Sequence, residues 1–99
     1  MLDMLGQFGN IQQKAEEMRK RLDNVSVAGE AEGVKATMNG NRKLLNIEIA
    51  EHIFQEGDKE QLEDLITIAI NRALEQAEAV TASETAAMYR EMLPGFPGL

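Results

Sequence analysis

The stretch VKATMNGNRKLLNIEI, residues 34–49, alternates apolar and polar side chains on both sides of an Asn-Gly pair. Alternation puts the apolar residues on one face of a strand, here Val34, Ala36 and Met38, then Leu45, Ile47 and Ile49. Asn39-Gly40 predicts the hairpin turn between them, since both of its residues must tolerate positive φ. Val25 and Val27 predict an earlier strand, followed by a loop at 29–33. The sequence therefore predicts a three-stranded antiparallel sheet with two open edges, which favours pairing with a second copy.

Helices are predicted before and after these strands in the sequence. From about residue 3 to residue 23, apolar residues recur at steps of four and three: Met4, Phe8, Ile11, Ala15, Met18 and Leu22. A second helix begins after the polar loop 55–57 with Asp58 as its N-cap, and nothing breaks it before Pro94. Its apolar residues are Leu62, Leu65, Ile66, Ala69, Ile70, Ala73, Ala77 and Val80.

The length of the second helix bears on oligomeric state. Some thirty helical residues span roughly 45 Å, whereas a compact chain of this size has a radius of gyration of only ~13 Å. The fold predicted is therefore α+β, helix–three strands–long helix, with protruding helices and a sheet shared by two copies. The residues predicted to form the core or the dimer interface are Phe8, Ile11, Met18, Leu22, Leu45, Ile47, Ile49, Leu62 and Ile66.

The amino-acid composition argues against several classes of function. The 99 residues predict a single domain at 1–93 with a Pro/Gly-rich tail at 94–99, and they include no cysteine and four aromatic residues. One histidine, His52, cannot build a catalytic zinc site, and we expect it to be partly buried at the end of the third strand. No catalytic motif, signal peptide or membrane span is visible. We therefore expect a cytoplasmic, non-enzymatic protein without cofactor, metal or small-molecule substrate.

The charges are unevenly distributed. The net charge is −7, but residues 1–50 carry seven basic and seven acidic side chains, whereas residues 51–99 carry three and ten. A polyanion would have to bind the first half. The candidate nucleic-acid contacts are Lys14, Arg19, Lys20, Arg21, Arg42, Lys43, Asn71 and Arg72. The alternative is that these residues are ordinary surface charges. Glu16 and Glu17 would then pair with the cations at 19–21 of the same helix, and Arg72 would pair with Glu75. Arg42 and Lys43 would be turn residues that protect the edge of the sheet.

The order of these segments resembles the YbaB/EbfC nucleoid-associated proteins over nearly the whole chain. The resemblance lies in the Met- and Gln-rich first helix, in residues 34–49, in DKEQLEDLITIAINRALEQA at 58–77 and in LPGFPGL at 93–99. It implies a tweezer-shaped homodimer with the strands of both subunits in a central sheet, which binds double-stranded DNA with low sequence selectivity in nucleoid organisation and gene regulation. Two departures are the single Pro before Gly95 and Arg72, where the family usually has an acidic residue.

Two other functions remain open from the sequence. The first is a chaperone-like or protein-interaction module whose helical arms grip apolar segments, with Met88 and Met92 near the tip. The net acidity fits this module better than it fits DNA binding. The second is an acidic regulator that acts on another DNA-binding factor without touching DNA. Salt dependence of DNA binding distinguishes the leading hypothesis from both.

Overall fold

The structure is a computed structural model, which describes the backbone of residues 2–92 and the side chains of residue 6 and residues 9–91. The elements are α1 (Leu2–Asp23), β1 (Ser26–Ala31), β2 (Val34–Asn39), β3 (Leu44–Ile49), α2 (Glu51–Glu56) and α3 (Lys59–Met92). The predicted α+β order of helix, three antiparallel strands and long helix is confirmed. The side chains of Phe8 and Met92 and the predicted tail at 94–99 lie outside the described part of the chain.

The strands form an antiparallel sheet in the order β1-β2-β3. The first hairpin is tighter than predicted: β1 continues through Ala31, and only Glu32 and Gly33, with φ of 38° and 93°, form the turn. The predicted loop at 29–33 is therefore wrong. Gly29 lies within β1. Position 29 requires glycine because a Cβ there would collide with the backbone of Ala69 and Ala73 in α3. This glycine allows close packing of helix on strand, which sequence reasoning mistook for a loop signal.

The second hairpin joins the predicted strands by a different turn. Neither Asn39 nor Gly40 has a positive φ; Arg42 takes the left-handed conformation instead, with φ of 68°. The loop closes through the Asn39 N–H, which donates to the carbonyl of Lys43 at 2.9 Å. The buried Asn39 Oδ1 accepts hydrogen bonds from the N–H groups of Asn41 and Lys43 at 2.9 and 3.1 Å. The hairpin prediction is right, but its two-residue turn is wrong, since the Asn39 side chain organises a longer loop.

The core lies between the sheet and the first half of α3. α3 packs on β1 and β2 and hardly on β3. Its contact stripe consists of Leu65 and three alanines that are fully buried, and the facing sheet residues are Ala31, Val34, Ala36 and Met38. The predicted N-cap is confirmed, because Asp58 Oδ1 accepts a hydrogen bond from the Gln61 N–H at 3.0 Å. Small side chains thus bring the helix axis close to the strands.

A short helix was missed between β3 and α3. α2 buries Ile53 and ends at Gly57, which has φ of 67°. His52 lies in this helix and is exposed, so the prediction of a partly buried histidine at the end of a strand is wrong. Six residues are too few for apolar periodicity to identify a helix.

The far end of the chain forms an arm. We call α1 together with residues 81–92 of α3 the α1–α3 arm, in which Met18 contacts Thr85 and Leu22 is buried at the base. The overall dimensions are 65 × 24 × 17 Å, and the radius of gyration is 19.0 Å, well above the ~13 Å of a compact chain of this length. The predicted protrusion of the helices is confirmed. Within residues 2–92, no helix combines the length and apolarity that crossing a membrane requires.

Candidate nucleic-acid interface

The loop between β2 and β3 lies against the C-terminal end of α1. The Gly40 N–H donates to the carbonyl of Leu22 at 2.9 Å, and a Cβ on Gly40 would lie 2.8 Å from Leu22 Cδ2. Thr81 of α3 donates its hydroxyl to the Gly40 carbonyl at 3.1 Å. Three elements therefore meet at this glycine, whose missing side chain permits the approach.

Asn41 holds the two basic segments together. Its Nδ2 group donates to the carbonyl of Arg19 at 2.8 Å and to Asp23 Oδ1 at 2.6 Å. The neighbouring Arg42 and Lys43 are thereby brought beside the last turns of α1. We call Arg19, Lys20, Arg21, Arg42 and Lys43 the basic surface. Sequence reasoning named these cations but did not connect Asn41 to α1, because only the fold shows that a loop amide caps a helix 22 residues away.

The cations of α1 differ in their partners. Arg19 Nη2 lies 2.9 Å from Glu16 Oε2, and this hydrogen bond lowers the pKa of Glu16 from 4.5 and raises that of Arg19. Arg21 Nη2 pairs with Glu84 Oε2 of α3 at 3.0 Å. Lys14 Nζ pairs with Glu91 Oε2, also of α3, at 3.4 Å. Of the pairings predicted within α1, the one between Glu16 and Arg19 is present. Arg21 and Lys14 instead pair with carboxylates of α3.

Three cations of the basic surface form no ion pair with a described carboxylate: Lys20, Arg42 and Lys43. All three are exposed. Cations at the end of α1 also interact favourably with its helix dipole. The helix dipole accounts for a cation at position 20 without any ligand. It does not account for the cations Arg42 and Lys43, which lie in the loop.

Asn71 and Arg72 lie apart from the basic surface. Arg72 Nη1 donates to the carbonyl of Glu30 on β1 at 2.6 Å, and the alternative pairing with Glu75 is not observed. Arg72 precedes Thr81 by nine residues, roughly 13 Å along α3. Asn71 is exposed on the same helix. The structure therefore does not gather all the predicted nucleic-acid contacts into one surface.

The edge strand β3 carries exposed apolar side chains. Leu45 and Ile49 are 51% and 37% exposed, and Ile47 is half-buried, because α3 does not extend over this strand. One edge of β3 has no neighbouring strand in the described sheet. On the sheet's core side, Leu62 and Ile66 of α3 are half-buried. Exposed apolar residues on an open edge are typical of an interface between chains.

An open cavity in the sheet is lined by residues of all three strands. This open cavity of about 490 Å³ lies beside the β1–β2 turn, and its ionisable lining residues are Glu30, Glu32, Lys35 and Glu48. It holds no histidine, serine or cysteine that could act as a nucleophile or base. Among the residues with described side chains, no group of three potential metal ligands occurs either.

The model of the YbaB/EbfC DNA-binding family matches residues 1–92. The chain belongs to this family. A nucleoid-associated protein of Flavobacterium johnsoniae is 37% identical, covering 100% of this chain and 93% of that protein. A nucleoid-associated protein of Thermoanaerobacter pseudethanolicus is 38% identical over 85% of this chain and 78% of its own. The fold matches an uncharacterized protein of Helicobacter pylori with a TM-score of 0.77 and 15% identity, covering 87% and 92% of the two chains. The family resemblance predicted from the sequence is confirmed.

Proposed function

We propose that this YbaB/EbfC family member is a homodimeric, non-enzymatic protein of the nucleoid that binds double-stranded DNA through the phosphate backbone. The observation that carries the proposal is the basic surface, in which Asn41 joins two cationic segments and three exposed cations form no ion pair with a described carboxylate. Such cations bind phosphate by releasing counterions from DNA. Gene regulation and nucleoid organisation would follow from this binding.

Low sequence selectivity is expected from the chemistry of the surface. Base readout needs amide or guanidinium groups free to enter a groove. Both N–H groups of the Asn41 amide are already donated within the protein, to Arg19 and Asp23. Lysine acts on phosphate as a point charge and carries little base information. Of the three guanidinium groups of the basic surface, those of Arg19 and Arg21 are held by carboxylates and only that of Arg42 is available, so the surface is better suited to backbone contact than to base readout.

A homodimer is supported by β3. Pairing with a second copy would cover Leu45 and Ile49 and satisfy the backbone groups at the open edge. It would also duplicate the basic surface, so that an acidic protein still presents two cationic sites to one duplex. The other parts of the chain, whose whole carries a net charge of −7, would limit contact to those sites.

DNA titration at several salt concentrations tests the binding proposal. With about three phosphate contacts per subunit, the slope of log K against log salt should be roughly −5. The double variant Lys20→Gln/Lys43→Gln should reduce that slope to about −2 and weaken binding at least about tenfold. The control Lys35→Gln/Lys59→Gln makes the same change in net charge away from the basic surface and should bind like the wild type.

Absence of binding by the wild type at about 50 mM salt would contradict the proposal. An equal loss in both double variants would show that net charge, and not the basic surface, governs binding. Arg72→Gln tests the predicted contact on α3: a reduced slope would add Arg72 to the DNA site, and an unchanged slope would remove it.

Sedimentation tests the homodimer. Two chains of 11.0 kDa should sediment together. Ile49→Glu should give monomers, because it buries a charge at the proposed interface. Ile68→Glu is a matched control, since Ile68 is 40% exposed and Ile49 37%, and it should leave the dimer intact. A monomeric wild type, or equal dissociation of both variants, would contradict the assignment of β3.

The chaperone-like module remains the second candidate, favoured by the exposure of Ile11 (42%) and Tyr89 (53%) on the α1–α3 arm. Binding of an unfolded protein that is insensitive to salt and is lost in Met88→Ser/Met92→Ser would support it. Failure of that variant to change binding would assign Met88 and Met92 no such role.

A further inference from the structure

The carboxylate of Glu84 forms an ion pair with the guanidinium group of Arg21, which belongs to the basic surface. The Arg21 Nη2–Glu84 Oε2 distance is 3.0 Å, and the Glu84 side chain is 31% exposed while that of Arg21 is 55% exposed. The two residues are 63 positions apart, on α1 and α3. The α1–α3 packing therefore brings them together, and the periodicity of one helix does not.

Phosphate and carboxylate oxygens bind a guanidinium group in the same way. Both accept charge-assisted hydrogen bonds from its N–H groups at similar distances. A DNA phosphate that approaches Arg21 from the side of Glu84 must therefore displace the carboxylate. The displaced carboxylate takes up a cation from solution, which offsets the counterion that DNA releases.

The pairing is selective among the carboxylates of α3. Glu75 and Glu78 lie on the same helix, both exposed, and neither forms an ion pair with a described residue. Glu91 forms a second pair across the arm, with Lys14 at 3.4 Å. General acidity of the helix would not place two carboxylates on two cations of α1.

We propose that Glu84 competes with DNA phosphate for Arg21 and thereby limits both the affinity and the salt dependence of DNA binding, with Glu91 acting on Lys14 in the same manner. The inference rests on the proposed function, since it concerns regulation of the same surface. It explains how one protein can present several cations and still bind DNA reversibly. The competing group is part of the fold and needs no second ligand.

The test compares Glu84→Gln with Glu78→Gln in DNA titrations over a range of salt concentrations. Both variants change the net charge equally, but only Glu84→Gln releases Arg21. We expect Glu84→Gln to bind about 3- to 10-fold more tightly at 100 mM salt, with a slope steeper by about 0.9 per subunit. Glu78→Gln should change affinity less than about twofold and leave the slope unchanged.

The Arg21→Gln background identifies the cause. There, the gain from Glu84→Gln should disappear, because no guanidinium group is left to release. Glu91→Gln provides a second variant and should give a smaller gain that disappears with Lys14→Gln. Thermal unfolding followed by circular dichroism checks that each variant folds.

Failure of this inference is distinguishable from failure of the proposed function. DNA binding that is the same in Glu84→Gln and Glu78→Gln overturns the competition alone, as does a gain that persists in Arg21→Gln. Absence of DNA binding by the wild type and by Glu84→Gln at about 50 mM salt overturns the proposed function and the competition with it.

Discussion

The two ends of α3 are held in different ways. On the sheet, Ala69, Ala73 and Ala77 are fully buried, and the backbone of the helix lies against Gly29. In the α1–α3 arm, the described side chains link α3 to α1 through two exposed ion pairs and the approach of Met18 to Thr85. Close packing fixes the first region sterically, whereas exposed ion pairs contribute only about 0–1 kcal/mol each. One continuous helix is therefore held by steric packing on the sheet and by weaker, exposed contacts in the arm.

The largest effect is expected at the sheet. Gly29→Ala should lower the free energy of unfolding by about 3 kcal/mol or more, because its Cβ would overlap the α3 backbone. Gly9→Ala has open space around its Cβ within α1 and should stabilise by up to about 1 kcal/mol. Urea unfolding of both variants measures the difference. Equal tolerance of the two alanines would mean that the arm and the sheet are packed alike.

Leu22 marks the boundary between the two regions. It is 2% exposed at the base of the arm, so Leu22→Ala should cost about 3 kcal/mol. Ile11→Ala, farther along the same helix where 42% of the residue is exposed, should cost less than about 1 kcal/mol. Thermal unfolding compares the two. A large cost at Ile11 would show that a second chain covers the arm.

Asn41 connects the base of the arm to the loop. Asn41→Ala removes two hydrogen bonds and should cost about 1–2 kcal/mol. It should also weaken DNA binding, since Arg42 and Lys43 are no longer held beside Arg19. The control is Asn46→Ala on β3, whose amide makes a single long contact of 3.5 Å with Glu48. Unchanged DNA affinity in Asn41→Ala would assign Asn41 a role in stability alone.

The smallest effect is expected within the exposed turn of α1. The hydrogen bond from Arg19 lowers the pKa of Glu16, so Arg19→Gln should raise that pKa back toward 4.5. A lowered carboxyl pKa stabilises the folded state at neutral pH, and this stabilisation is lost as the pH falls through the lowered value. Titration of the Glu16 carboxyl carbon by NMR measures the shift. Identical titration in both proteins would show that the pair is not maintained in solution.

Most of the fold was predictable because local patterns carried it. The apolar spacing gave α1 and α3, the alternation gave the three strands, and Asp58 marked the start of α3. Apart from the short helix α2, the errors fell where a nonlocal contact determined the conformation. Gly29 was assigned to a loop although it belongs to a strand under α3, and the Asn39-Gly40 pair forms a longer loop that packs on Leu22.

The candidate site was predictable only in part. The cations of α1 and of the β2–β3 loop were named from their sequence clusters, but their neighbours were not. Asn41 resembles any loop asparagine, and nothing in the sequence separates Glu84 from Glu78. Ion pairs between distant residues depend on the crossing of α1 and α3, which has no sequence period.

By itself, the sequence determined the presence and order of α1, the three strands and α3, the length of α3 and the family, because each depends on the order and spacing of neighbouring residues. The tertiary structure alone decided that the β2–β3 loop joins α1 through Asn41, that Arg72 lies elsewhere, and that Glu84 holds Arg21. The physical reason is range. Backbone hydrogen bonding and apolar periodicity act over a few residues, whereas the composition of a charged surface is set by which elements the packing of the core brings together.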